Sequence, residues 1–237
     1  VNNDRLNNKG KLSGYAAFEP NNKIAIHFAP SEIIVEDSLW TINSGNRVMI
    51  DKKAILFSNF ILSHQKQTIK VVGLITDNES DKLAIDLTDF NLELLNPLMR
   101  KNDVLLKGIV NGSMTVSGLY SNLLFSSSLT FNSLSINDEL LGEGSVLALW
   151  DNQKESIAIN GRFLRGEIPT IGVSGFYYPN RSENNLDFEL NFQKTQLKML
   201  EKYTKDIVSK INGTATGDLI VSGSAKKPIL TGTLELQ

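Results

Sequence analysis

The feature that most constrains the fold is the alternation of apolar and polar side chains along most of the chain. Residues 186–192 have the sequence LDFELNF and residues 83–87 have the sequence LAIDL. Successive strand residues point to opposite faces of a sheet, so this period of two predicts strands with one dry and one wet face. Strands buried on both faces would instead be continuous apolar runs. Turn-forming clusters such as 77–81 and 179–185 separate the strands. The sequence therefore predicts an all-β chain built on a long, curved antiparallel sheet.

Two segments that break the alternation predict short helices. Near 92–101, Asn96 and Pro97 are expected as the N-cap and first position of the earlier helix. Thr195 is expected to cap the later helix, near 196–208, which would cover part of the sheet. The apolar residues of the earlier helix are Leu92, Leu94, Leu95, Leu98 and Met99, and those of the later helix are Leu197, Leu200, Tyr203 and Ile207.

An internal repeat of about a hundred residues is visible in the sequence. Glycines and aliphatic residues of 108–131 recur in 213–236 at a constant offset of 105. Upstream, the offset drifts to 103 for the alternating strands and to 110 for a Leu–Trp pair, as insertions in turns would produce. We expect residues 1–29 to be the tail of a preceding unit, and 30–131 and 132–237 to be β-groove units of one elongated domain. Because the chain begins in mid-pattern, we also expect it to be a fragment of a longer protein.

The repeated glycines fall on the apolar face of the predicted strands. A missing side chain lets a sheet crease inward, and a sheet that curls around its apolar side forms an open hydrophobic groove. Such a groove must be covered by a helix, a partner or lipid. We expect Gly217 and Gly223 to tolerate valine less well than Gly144, because they permit the crease. The stretch 142–144 is expected to be a turn. The crease glycines are Gly108, Gly112, Gly118, Gly213, Gly217 and Gly223. The predicted groove-facing side chains are Leu83, Ile85, Leu87, Met114, Val116, Leu129, Phe131, Ile157, Ile159, Leu186, Phe188, Leu190, Phe192, Leu219, Val221, Leu234 and Leu236.

The stretch 213–237 resembles the recurring motif of the TamB family. That motif is roughly G-x3-G-x-L-x-V-x-G, then Pro, then G-x-L-x-L. It is matched here by Gly213, Gly217, Leu219, Val221, Gly223, Pro228, Gly232, Leu234 and Leu236. The first copy keeps the glycines but has Leu123 and Ser127 where Pro and Gly are expected. The short amphipathic helix and the Leu–Trp strand starts are also similar to that family. The resemblance covers most of residues 30–237.

The resemblance implies a fold, a location and partners. TamB-like proteins are anchored in the inner membrane of Gram-negative bacteria and extend across the periplasm. They form a taco-shaped β-structure with a hydrophobic interior, similar in plan to AsmA-like and other bridge-like lipid carriers. The implied function is phospholipid transport between the inner and outer membranes, together with assembly of outer-membrane and autotransporter proteins in protein secretion. The implied partners are phospholipid acyl chains and a TamA-type outer-membrane barrel protein. The family supplies no catalytic residues and no cofactor.

Composition argues against other classes of function. The net charge is −2 with no basic stripe, so nucleic-acid binding is not expected. The chain has no cysteine, and no apolar run reaches the ~18 residues of a membrane-spanning helix. His27 and His64 lack partners at ligand spacing, so no metal site is expected. Paired carboxylates such as Asp187 and Glu189 lie on the predicted wet face. We therefore expect no enzyme.

An alternative function remains open from the residues alone. The chain could be a structural β-solenoid spacer or an adhesin-like module whose interior is packed and dry. Such solenoids have shorter repeats, typically about 20–30 residues. The unit of about a hundred residues favours the groove.

Overall fold

The computed structural model describes residues 10–35, 38–99, 104–118, 123–196, 213–224 and 227–237. Of this described chain, 74% is strand, and it contains one short α-helix. Backbone ladders join the strands into an antiparallel sheet that is open rather than closed into a barrel. The predicted all-β, antiparallel fold class is therefore confirmed.

The strands follow one another with short connections. They are β1 (Gly10–Lys11), β2 (Gly14–Glu19), β3 (Lys23–Phe28), β4 (Ser31–Val35), β5 (Ser38–Ile42), β6 (Arg47–Asp51), β7 (Ala54–His64), β8 (Gln67–Ile75), β9 (Lys82–Asn91), β10 (Leu106–Ser117), β11 (Leu124–Ile136), β12 (Glu139–Asp151), β13 (Ser156–Arg165), β14 (Ile168–Tyr177), β15 (Leu186–Gln196), β16 (Thr214–Ser224) and β17 (Lys227–Leu236). A 3₁₀ turn at Leu92–Leu95 leads into the helix α1 (Asn96–Met99), and another 3₁₀ turn covers Pro20–Asn22.

The strands belong to two compact units. The first contains residues 1–94 and 111–126, and the second contains residues 95–110 and 127–237. In the first unit, β2, β3, β6, β7, β8 and β9 pair in that order, while β1, β4 and β5 join the same sheet through β7. In the second unit, β12 to β17 form a meander in which each strand pairs with the next.

Each unit has its own buried apolar residues. In the first unit these include Trp40, Ile42 and Val48, and the Trp40 ring lies 6.4 Å from the ring of Phe90. In the second unit the largest fully buried side chain is that of Phe192. Its neighbours on the same sheet face, Phe163 and Ile171, are buried as well. Burial of such apolar surface is the main term that stabilises either unit.

The sequence repeat has a counterpart in the backbone. Asp89 and Lys194 are 105 residues apart, and both have a φ of 48°. The Asp89 amide donates to Asn111 Oδ1 at 2.7 Å, and the Lys194 amide donates to Thr216 Oγ1 at 3.1 Å. The two acceptors are also 105 residues apart. The same local conformation, held by the same type of bond, therefore occurs in both copies.

The crease glycines also match pair by pair. Their φ angles are 116° and 104° at Gly108 and Gly213, 137° and 142° at Gly112 and Gly217, and 58° and 79° at Gly118 and Gly223. Four of them lie within β10 or β16, while Gly118 follows β10 and Gly213 precedes β16. Positive φ angles favour glycine, so the backbone itself restricts these positions.

The first predicted helix is present but is shorter than expected, since only Asn96–Met99 is α-helical. The expected N-cap role of Asn96 is wrong. Its side chain instead accepts from the Leu106 amide at 2.7 Å and donates to the Leu106 carbonyl at 3.0 Å. It therefore ties the helix to the start of β10.

The later predicted helix, with Leu197, Leu200, Tyr203 and Ile207, lies outside the described residues. Its expected cap, Thr195, is a buried residue of β15. The Thr195 hydroxyl donates to the Thr170 carbonyl, so the expected capping role of Thr195 is wrong. The expected turn at residues 142–144 is also wrong, because this stretch lies inside β12. The β11–β12 turn falls at Asn137 and Asp138 instead.

Replacing Gly217 with alanine should destabilise the protein much more than replacing Gly172. A Cβ at Gly217 would lie 2.2 Å from the Thr233 carbonyl oxygen, at a φ of 142°. At Gly172 the nearest atom would be the Asn191 Cβ at 3.6 Å, an ordinary contact. We expect Gly217→Ala to lower the free energy of unfolding by more than ~1 kcal/mol. We expect Gly172→Ala to change it by less than ~0.5 kcal/mol. Chemical denaturation of both variants measures the difference, and equal midpoints would contradict the steric argument.

Candidate functional site: an apolar sheet face

The register of the second unit determines which face of the sheet each side chain occupies. Directly opposite residues on antiparallel strands point to the same face. For example, Val173 is opposite Leu190, which is in turn opposite Leu219. Following the ladders from β12 to β17 gives four rows of side chains on one face, which we call the apolar face. The rows are Gly144, Phe163, Ile171, Phe192, Gly217 and Leu234; Val146, Gly161, Val173, Leu190, Leu219 and Gly232; Ala148, Ile159, Gly175, Phe188, Val221 and Leu230; and Trp150, Ile157, Tyr177 and Leu186.

Burial is uneven across these rows. In the first row Phe192 is 1% exposed and Phe163 is 5% exposed. In the fourth row all four side chains are only half-buried, Leu186 and Tyr177 among them. The apolar face therefore has a dry end at the first row and a more accessible end at the fourth.

Buried polar groups at the dry end are paired with one another. The Thr170 hydroxyl donates to the Leu141 carbonyl at 2.8 Å, and the Thr195 hydroxyl donates to the Thr170 carbonyl. Both threonines are 2% exposed or less. Because a buried hydroxyl without a partner would cost stability, these bonds allow the first row to be packed without water.

Aromatic rings on the apolar face lie over glycines of neighbouring strands. A Cβ on Gly144 would lie 2.2 Å from Cδ1 of Phe163, and one on Gly175 would lie 2.9 Å from Cδ1 of Phe188. Each phenylalanine is directly opposite its glycine in the ladder. The rings thus fill space that the glycines leave empty, an arrangement known to compensate for glycine in strands. Gly144 is therefore not a permissive position, and the expected order, in which valine is tolerated less well at Gly217 and Gly223 than at Gly144, stays a prediction.

The structure places the predicted groove residues of the second unit on this single face. They are Ile157, Ile159, Leu186, Phe188, Leu190, Phe192, Leu219, Val221, Leu234 and Leu236. Leu236, at the end of β17, is 67% exposed. The Phe131 ring lies 5.6 Å from the Phe163 ring, so β11 contributes to the same face. Leu129, two residues from Phe131 on β11, is half-buried.

The predicted groove residues of the first unit also follow the ladder. Leu83, Ile85 and Leu87 are opposite Gly73, Val71 and Ile69 on β8, and these three pairs share one face. Leu83 is buried, whereas the side chains of Ile85 and Leu87 are half-buried. Met114 and Val116 alternate on β10 and are half-buried in the same unit.

Several side chains of these faces were not identified from the sequence. In the second unit they are Val146, Trp150, Phe163, Ile171, Val173, Tyr177 and Leu230, and in the first unit they are Phe57, Phe60, Ile69 and Val71. An alternating signal was present on β14, where Ile171 and Val173 are separated by Gly172. On β7 the alternation is interrupted at Asn59, which has a φ of 50° where the register shifts.

The opposite face of the second unit, which we call the polar face, carries charged side chains together with the exposed Leu147, Leu149 and Ile220. Asp187 and Glu189 are exposed, and they are opposite Phe176 and Ser174.

In the first unit, His27 Nδ1 lies 3.1 Å from the Asn46 carbonyl and His64 Nδ1 lies 2.7 Å from the Leu39 carbonyl. Among the described residues, no group of three or more His, Asp or Glu side chains is arranged to hold a metal ion. In the described part of the chain, no helix has both the length and the apolar character needed to cross a membrane.

Comparisons with protein-family models, with curated proteins and with solved structures find no match to this chain.

The difference between the two ends of the apolar face predicts a difference in stability. Phe192→Ala should lower the free energy of unfolding by ~3–5 kcal/mol, because it leaves a cavity in a fully buried site. Leu186→Ala should cost clearly less than half of that, since Leu186 is already half-exposed. Urea denaturation of both variants measures the two costs. Equal losses would mean that the fourth row is as tightly packed as the first.

Proposed function

We propose that the apolar face binds the acyl chains of lipids and serves as part of a hydrophobic groove for lipid transport. The observation that carries this proposal is the half-burial of the third and fourth rows. There, Phe188, Ile159, Leu186 and Ile157 share one face and keep part of their apolar surface exposed. Contiguous exposed apolar surface is uncommon on a soluble protein, and it typically marks a binding site.

The dimensions of the rows suit a hydrocarbon chain. A row that crosses six strands extends about 24 Å, from a spacing of about 4.8 Å between neighbouring strands. Each methylene group removed from water contributes ~0.8 kcal/mol, so contact with several methylenes already favours occupancy. The hydrophobic effect has no direction, so such a surface would select poorly among head groups and would let a chain slide along it.

The wider role follows from the motif in 213–237. We propose a TamB-like protein of the periplasm, anchored in the inner membrane, that conducts phospholipid towards the outer membrane and takes part in outer-membrane and autotransporter protein assembly with a TamA-type partner. The repeated geometry of Asp89 and Lys194 supports a modular groove built from similar units. In this role the chain has no enzymatic activity and needs no cofactor.

The packed spacer remains the second candidate, and one observation favours it. Phe192, Phe163 and Ile171 are buried together at the dry end, where the glycine positions are filled by aromatic rings. A spacer would need this packing along every row. The half-buried fourth row instead favours a groove that is closed at one end of its strands and open at the other.

Photo-crosslinking at neighbouring positions of β15 distinguishes the two functions. A photoreactive residue at position 188 faces the apolar side, and one at 187 faces the polar side. In cells that produce the natural protein, we expect lipid adducts at 188 and few at 187. Extraction and mass spectrometry of the adducts provide the measurement. Absence of lipid at both positions, or equal labelling at both, would favour the packed spacer.

Substitution of Phe188 tests transport separately from folding. Phe188→Glu places a charge on the apolar face, and we expect it to impair phospholipid delivery to the outer membrane while the domain stays folded. Asp187→Lys is the matched control, because it changes charge on the polar face of the same strand. Delivery is followed by radiolabelled phospholipid in separated membranes. Normal delivery with Phe188→Glu would contradict the proposal.

A further inference from the structure

The polar face of the second unit contains a cleft that the proposed lipid function does not explain. Its volume is about 730 Å³, and it is open to solvent. Gly172 lies within it, in a row where Arg162 is opposite Gly172 and Gly172 is opposite Asn191. The polar side chains that line the cleft are Ser128, Ser145, Asn160, Arg162, Ser174, Glu189, Asn191, Gln193 and Asp218.

The fold does not require glycine at position 172. Its φ is not positive, and an added Cβ would meet only the Asn191 Cβ, at 3.6 Å. At Gly175, three residues along the same strand, a Cβ would lie 2.1 Å from the Asp187 carbonyl oxygen. Glycine at 175 is therefore explained by backbone packing, whereas glycine at 172 is not. Its effect is to leave space between the Arg162 and Asn191 side chains.

The polar groups around this space are only partly paired. The side chains of Arg162 and Glu189 make no hydrogen bond or ion pair with any residue that the structure describes. Asn191 Nδ2 donates to Asp218 Oδ1 at 2.7 Å, and Gln193 Nε2 donates to Asn191 Oδ1 at 3.1 Å. These two hydrogen bonds hold the side-chain amide of Asn191 in place. The cleft thus presents the free donors of Arg162 and the free acceptors of Glu189.

We propose that this cleft binds a saccharide. A carboxylate needs a donor from the ligand, and a guanidinium needs an acceptor. Glu189 and Asp218 would repel a polyanion, whereas sugar hydroxyls both donate and accept and so suit Arg162 and the two carboxylates together. Leu147, which is 43% exposed, lies in the same cleft and offers an apolar surface for the C–H groups of a sugar ring.

An extended peptide fits the cleft less well. Peptides that bind to sheets usually add a strand at an edge, where backbone groups are unpaired. Here the backbones of β13 to β16 are paired on both sides by the ladders. A ligand in the cleft must therefore be recognised by side chains alone. The polar side chains proposed to recognise the saccharide lie on the opposite face from the acyl-chain surface, so the two proposals can fail independently.

Titration with defined tetrasaccharides tests the proposal. The probes are the neutral cellotetraose, maltotetraose and tetra-N-acetylchitotetraose, with tetragalacturonate as a polyanion that should bind weakly or not at all. Binding is followed by NMR shifts of the 237-residue chain. We expect at least one neutral probe to bind, with shifts at residues of the cleft. Gly172→Leu should weaken that binding by roughly tenfold or more, about 1.4 kcal/mol. Thr231→Leu is the matched control, because Thr231 is exposed on the same polar face but outside the cleft, and it should bind as the unaltered chain does.

Two further variants test recognition of the saccharide by polar side chains separately from the loss of space at position 172. Arg162→Ala and Glu189→Ala should each weaken binding while leaving the denaturation midpoint unchanged, since neither side chain has a partner in the described part of the chain. Absence of binding for all four probes would overturn the proposal. Equal affinities for Gly172→Leu and Thr231→Leu would also overturn it, as would binding of tetragalacturonate alone.

Discussion

The backbone ladder of the antiparallel sheet is the interaction on which the rest of this structure depends. Each ladder fixes the register of two strands, and a shift of one residue would move every side chain to the other face. In the second unit five consecutive ladders agree, so Val173, Leu190 and Leu219 lie in one row. The separation into an apolar and a polar face, and both proposed binding surfaces, follow from that agreement.

Much of this organisation could be predicted from the sequence, because alternation is a local property. The face occupied by Leu186, Phe188, Leu190 and Phe192 follows from their spacing alone, and the ladders place them together. Their burial could not be predicted in this way. Phe192 is 1% exposed and Leu186 is half-exposed, although the alternation is the same at both residues. Burial depends on what lies several strands away, which a local pattern does not contain.

Glycines show the same limit. In the sequence, Gly144 and Gly172 are both glycines within alternating segments, and nothing nearby distinguishes them. In the structure, the Phe163 ring lies over Gly144, whereas a Cβ at Gly172 would make only an ordinary contact with the Asn191 Cβ, at 3.6 Å. Because the ring comes from the neighbouring strand, the difference depends on register. The close packing at Gly144 and the room at Gly172 therefore have the same origin.

Irregularities in the ladders explain the remaining differences between prediction and structure. An extra residue in one strand moves the residues that follow it to the other face of the sheet. Phe192 and Thr195 are three residues apart and would face opposite sides of a regular strand, yet both are 1% exposed. The register shifts between them, at Lys194, and this shift brings the Thr195 hydroxyl to the Thr170 carbonyl. Phe57 and Phe60 are related in the same way across Asn59, and their ring centroids are 6.2 Å apart.

Such a shift ends the period of two, so a pattern-based reading takes the following residues for a new element. That is why Thr195 suggested a helix cap. The conformation at Lys194 recurs at Asp89 with a different side chain and an equivalent acceptor, so what the repeat preserves is the bend in the strand rather than the residue that makes it.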